Sequence, residues 1–212
     1  MVVNVSGPRV LEAWIENEKI TAVIYSGLLG QESGNAIADV LYGDVNPSGK
    51  LIHTIAKNAS EYPASVCKEL ECPFSEGVYV DYCWFDKHDI EPRFPFGHGL
   101  SYTTFSYDDV TATITNSSAL ASTYPTGQLG LGGQVDLFDE VISVNTTVQN
   151  TGSLRGAEVA QLYLSFPDEA DQPVRILRGF EKVNITAGQT ADVSFTLRRR
   201  DVSCWDWMLR SG

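Results

Sequence analysis

The sequence predicts an α/β layer followed by an all-β sandwich. Three observations carry that prediction: a strand-loop-helix unit near the start, a change of character near residue 105, and a series of short β-rich runs beyond it. In the first unit "ITAVIYSG" (20–27) is a continuous apolar run bounded by Gly27, the pattern of a buried strand in a parallel sheet. A helix follows. Ser33 or Gly34 can start it, Ala36, Ile37, Val40 and Leu41 set an apolar stripe on one face, and Gly43 ends it. Asn46-Pro47-Ser48-Gly49 then carries turn chemistry and returns the chain to the sheet at Leu51.

The stretch from Phe74 to Phe105 is rich in aromatic residues and turns. Alternation in "GVYVDYCWF" predicts a strand or hairpin, and Pro92, Pro95, Gly97 and Gly99 break its continuation. The segment reads as packing material laid over a domain, the alternative being a platform on which sugars stack. His98 fits a hydrogen-bonded structural role. From Phe105 the candidate strands are "FSYDDVTATIT", "EVISVNTTVQN", "EVAQLYLSF", "VRILRGFEKVNI" and "TADVSFTLR". Between the first two lies a Ser/Thr/Gly/Pro-rich excursion that reads as a long surface loop.

At 212 residues, 43% hydrophobic and 20% charged, the chain has the means to bury a core. A net charge of −12 argues against nucleic acid, and Arg198-Arg199-Arg200 is too short to reverse it. No apolar run reaches the length of a membrane span, and the segment after Met1 lacks the charged start and long apolar core of an export signal. Gly27, Gly30 and Gly34 have the wrong spacing for a phosphate loop, and no Lys-Ser/Thr follows them. Glu32, at the mouth of a helix, reads as a cap or first-turn acid. His53, His88 and His98 are scattered, and a cysteine pair leaves a tetrahedral zinc site half filled, so neither a metal nor a cofactor is expected.

Sequons at Asn4, Asn58, Asn116, Asn145 and Asn184 point to the secretory route and to N-linked sugar. Cys67 and Cys72 flank "KELE" closely enough for a small disulfide-closed loop in an oxidising compartment.

The ordered motifs "SGLLGQESGNA", "DVLYGDVNPSGKL", "SEGVYVDY", "FPFGHGLSYTTF", "VQNTGSLRGAEVAQLYL" and "LRGFEKV" resemble the C-terminal part of a fungal-type β-glucosidase of glycoside hydrolase family 3. The resemblance covers essentially the whole chain. It implies the end of an α/β sandwich domain with its aromatic wrapping segment over residues 1–105, then a fibronectin type III-like β-sandwich over 106–212. The implied parent is secreted and hydrolyses terminal β-D-glucosyl residues of β-glucosides or cello-oligosaccharides.

The same resemblance places the nucleophile in a barrel domain and the acid/base upstream of this chain. No catalytic role therefore passes to Glu32, Glu76, Asp81 or Asp86, although retaining hydrolysis needs two carboxyl groups about 5–5.5 Å apart. Cys83 stands where the family tends to have Arg, and Cys204 where it often has an aromatic residue; neither is assigned a partner. The family pattern runs on through further strands after "RRRDVSCWD", which implies a truncated sandwich. Loss of those strands would expose Val159 or Ala160, Leu162 and Leu164 and favour self-association through an open sheet edge, or pairing with the missing catalytic domains. The expected role is a supporting part of a β-glucosidase, inactive alone, and the alternative is a non-catalytic carbohydrate- or protein-binding module.

Overall fold

The computed structural model describes residues 1–205 and divides into two compact units, the first Met1–Tyr102 and the second beginning at Thr103. In the first unit β1 (Val2–Asn4) and β2 (Ile24–Ser26) pair in parallel, Val2 opposite Ile24 and Asn4 opposite Ser26. The apolar run at 20–27 thus yields a strand of only three residues. All three are half-buried rather than enclosed.

Helix α1 (Ser33–Tyr42) follows a loop. Gly43 ends it with φ 85°, a left-handed conformation that costs a residue without a Cβ nothing, and its N–H donates to the Val40 carbonyl at 3.2 Å. None of the helix's residues is buried within this chain, and Ala36 and Leu41 are exposed.

The expected strand or hairpin at "GVYVDYCWF" is corrected: Tyr82–Lys87 form a helix, α2, with Cys83 and Phe85 buried. Aromatic residues favour strands weakly and tertiary context overrides that preference. Here the override is local. Asp81 stands at the head of α2 with φ 51° and its carboxylate is anchored elsewhere, which turns the chain out of the extended path. Tyr82 stacks on Phe96 at 4.7 Å between ring centroids, and Tyr62 meets Phe85 edge-on at 5.7 Å.

The second unit is a β-sandwich. Strand β7 (Glu140–Asn150) is central, with β10 (Thr190–Arg198) along one side and β3 (Phe105–Tyr107) and β4 (Thr111–Ile114) along the other, all antiparallel to it. The run "FSYDDVTATIT" is therefore two strands rather than one, separated at 108–110. Strands β8 (Gly156–Leu164) and β9 (Ile176–Ile185) form a second antiparallel pair. The excursion 116–139 is not featureless: β5 (Leu129–Gly130) and β6 (Gly133–Gln134) make a small hairpin flanked by single helical turns.

The core lies between the two sets of strands. Val148 and Val193 from one sheet meet Ala160 and Ile185 from the other, with Phe105, Val183, Ala191 and Phe195 packed around them. Gly179 is needed here, because a Cβ would come within 3.0 Å of the Phe195 ring. The expected exposure of the β8 apolar stripe is not found. Ala160 is fully buried, and Val159, Leu162 and Leu164 are half-buried, because β7 and β10 supply the facing layer. The expectation that the sandwich stops short at residues 207–212 lies outside the described residues.

Candidate functional site

The densest polar arrangement of the first unit is built around Asp81. Its Oδ1 accepts the Thr54 N–H at 2.9 Å and its Oδ2 accepts the Thr54 hydroxyl, also at 2.9 Å. Thr54 is buried, and neighbouring Ile55 and Ala56 are equally enclosed. Ile55 bridges Phe94 in both directions, its N–H donating at 2.9 Å and its carbonyl accepting at 3.1 Å. Tyr62 closes the same segment. Its hydroxyl accepts the Ala56 N–H and donates to the Thr54 carbonyl, each at 3.0 Å. Trp84 then donates its indole N–H to the Glu61 carbonyl at 3.1 Å, so the 54–62 segment is tied to α2 from both ends.

Burial sets the electrostatics of this cluster. It pushes the Tyr62 phenol up and holds His53 below its ordinary range, with Asp81 opposing the shift at His53 by favouring the imidazolium. His53 Nε2 is buried without a hydrogen-bond partner, and its ring meets Tyr25 edge-on at 5.7 Å. An orphaned nitrogen of this kind suits a neutral imidazole.

The remaining acids are spread over separate elements. Glu32 precedes α1 without capping it and accepts from the Asn35 side chain at 2.6 Å. Glu76 sits in a turn whose carbonyl receives the Tyr79 N–H, and Asp86 lies in α2. Glu12, which the sequence did not single out, takes two bonds from Arg93, Nε to Oε1 at 2.5 Å and Nη2 to Oε2 at 2.7 Å. Arg93 also reaches Glu16 at 2.6 Å. Sequence separation hid this pair, since nothing local links residue 12 to residue 93. Asp81 and Glu12 are thus spent on holding backbone and guanidinium groups, which is structural work. Among the described residues no group of three or more His, Cys, Asp and Glu is placed to hold a metal ion.

Cys67 and Cys72 are joined by a disulfide with Cα atoms 6.0 Å apart, closing an exposed loop. Cys83 is buried and Cys204 exposed, both outside that disulfide. Of the sequon asparagines, Asn4, Asn58, Asn145 and Asn184 are exposed and Asn116 is half-buried.

In the second unit the polar centre is Asn150, fully buried at the end of β7. Its amide nitrogen donates to the Leu154 and Ile185 carbonyls at 2.8 and 2.9 Å. Its oxygen accepts from the Thr103 hydroxyl at 2.7 Å and the Gly152 N–H at 3.1 Å. Every hydrogen-bonding position of that amide is used, which fixes the "NTGSLRG" turn between β7 and β8. Arg199, also buried, donates to Asp136 at 3.2 Å and to the Ser122 carbonyl at 2.8 Å, pinning the excursion to the end of β10. No helix among the described residues is long and apolar enough to cross a membrane.

Residues 1–102 match the glycosyl hydrolase family 3 C-terminal domain, and residues 158–209 match the fibronectin type III-like domain. The chain is 58% identical over its whole length to a probable beta-glucosidase D of Aspergillus niger and 56% identical to one of Aspergillus oryzae, covering 28% of each. Among solved structures, a beta-D-glucoside glucohydrolase from Trichoderma reesei superposes with a TM-score of 0.91 at 44% identity, over 98% of this chain and 29% of that one. A beta-glucosidase 3B from Thermotoga neapolitana, in complex with glucose, gives a TM-score of 0.78 at 28% identity, over 97% of this chain and 26% of that one. The chain thus spans little more than a quarter of the relatives it matches. By its ordered motifs, its fold and these matches, it belongs to glycoside hydrolase family 3 and corresponds to the C-terminal part of a fungal β-glucosidase.

Proposed function

We propose that the chain is a supporting part of a secreted β-glucosidase that removes terminal β-D-glucosyl residues from β-glucosides or cello-oligosaccharides, and that it carries none of the bond-breaking groups itself. The observation that carries the reading is the engagement of its acids: the Asp81 carboxylate is committed to Thr54, and the Glu12 carboxylate to Arg93. Retaining hydrolysis needs a nucleophilic carboxylate and a second carboxyl group free to exchange a proton, about 5–5.5 Å away. Here Asp81 anchors Thr54 and Glu12 pairs with Arg93, so neither is assigned to that pair. Similarity to proteins named beta-glucosidase over this portion of their length supports the glucoside as substrate class.

Residues 1–105 and 106–212 act as two domains in this reading, the first completing an α/β sandwich and the second forming a fibronectin type III-like β-sandwich. The chain travels the secretory route and its sequons are candidate acceptors of N-linked sugar. Assay of the purified chain and its Glu32→Gln variant on an aryl β-glucoside tests the reading. Both remain at the buffer rate. Turnover well above buffer by the wild-type chain, lost in the variant, overturns it.

A further inference from the structure

We propose that the peptide bond between Lys68 and Glu69 is a cleavage site for endopeptidases that cut after lysine, and that the Cys67–Cys72 disulfide keeps it locked. The inference goes beyond the supporting role in glucoside hydrolysis and does not rest on it.

The segment around the bond is open to a protease. Every residue from 64 to 75 is exposed, including Val66, Leu70 and Phe74, so no packing holds the stretch. Among the described residues no backbone hydrogen bond falls between 63 and 73. Nicking concentrates at exposed backbone of this kind. Lys68 is also the one lysine or arginine between Lys57 and Lys87. Those two are held by their surroundings: the Lys57 N–H donates to Glu61 at 3.0 Å, and Lys87 ends helix α2.

The ring supplies the lock. An endopeptidase binds its substrate as an extended strand, and in that form the five steps from Cys67 to Cys72 span about 17 Å. The disulfide holds the two Cα atoms 6.0 Å apart. The backbone inside the ring curls over the sulfurs, the Glu69 carbonyl oxygen lying 3.9 Å from Sγ of Cys67 and 3.6 Å from Sγ of Cys72. The bond after Lys68 therefore cannot straighten into a protease cleft until the ring opens.

Opening takes a dithiol. The sulfur–sulfur bond breaks, Cys67 and Cys72 each gain an electron and a proton, and the dithiol closes to its own disulfide. Cleavage then takes water: the carbon–nitrogen bond between Lys68 and Glu69 breaks, hydroxyl completes a carboxyl group on Lys68, and hydrogen completes an amine on Glu69. Cys83 and Cys204 stand outside the disulfide, so the dithiol acts on that ring alone.

The test digests the whole chain with a lysine-specific endopeptidase, oxidised or held in dithiothreitol. It reads the rate of cutting after Lys68 against that after Lys182, which lies in β9 opposite Val159. Because a cut inside a closed ring leaves both pieces joined, all products are reduced before their masses are measured. Expected is a cut after Lys68 that is several-fold faster in dithiothreitol, giving pieces 1–68 and 69–212, with the rate at Lys182 unchanged. The double variant Cys67→Ser, Cys72→Ser should be cut at the fast rate with or without dithiothreitol. Equal rates at Lys68 with the ring open and closed, a double variant as resistant as the oxidised chain, or a rise at Lys182 that matches the rise at Lys68 overturns the proposal.

Discussion

The carboxylate of Asp81 accepts both the N–H and the hydroxyl of buried Thr54, joining two segments 27 residues apart in sequence. Asp81 holds a backbone φ of 51° in doing so, a conformation that non-glycine residues rarely keep without compensation. The two bonds are that compensation, and they set where α2 begins.

Asp81→Ala leaves the Thr54 donors buried without an acceptor, which costs about 3 kcal/mol. Asp81→Asn retains an acceptor oxygen for one donor and should lose less. Urea unfolding followed by tryptophan fluorescence measures both, and an alanine variant as stable as the wild-type chain would show that the clamp contributes nothing.

The Arg93 pair makes the first unit sensitive to acid. Its hydrogen bonds to Glu12 hold that carboxyl below the ordinary glutamate value, against a smaller opposing effect of desolvation. A folded-state value below the unfolded one contributes stability present above the ordinary glutamate value of about 4.3 and lost as pH falls through the folded value. Thermal unfolding scanned downward from pH 6 should therefore show a falling midpoint whose acid limb flattens in Glu12→Gln. An identical acid limb in wild type and variant contradicts the assignment.

Asn150 makes a prediction of opposite chemistry. Asn150→Ala strands two buried carbonyls and two donors, a loss of about 2–4 kcal/mol if part of the network relaxes toward water. Asn150→Asp is isosteric but sets a carboxylate against the Leu154 and Ile185 carbonyls, which the native amide meets as a donor. Its destabilisation should deepen as pH rises and the new carboxyl ionises. Hydrogen exchange across β7 and β8 reads the effect, and an aspartate variant equally protected at pH 4 and pH 8 rules out this account of the turn.

Much of the sandwich was legible because its strands bury one face. β7 and β10 coincide with "EVISVNTTVQN" and "TADVSFTLR", whose alternation directly records which side chains meet the core. Strand β1 left no such record: it has three residues, and its pairing is to β2, some twenty residues on. Helix α2 was misread because its aromatic residues alternate by chance, while the carboxylate contact that starts the helix lies 27 residues away. The polar centres were hidden for the same reason. Glu12 and Arg93, Asp136 and Arg199, and Asn150 with Ile185 are all joined by the fold across long stretches of chain.

Exchange of this chain for the matching C-terminal part of the Aspergillus niger relative tests the central claim most directly, with hydrolysis of an aryl β-glucoside as the readout. The account predicts that the chimera is active, that the relative without the segment is not, and that the isolated chain stays at the buffer rate. A chimera that folds as the relative does yet hydrolyses nothing, or an isolated chain that turns over the glucoside, would contradict it.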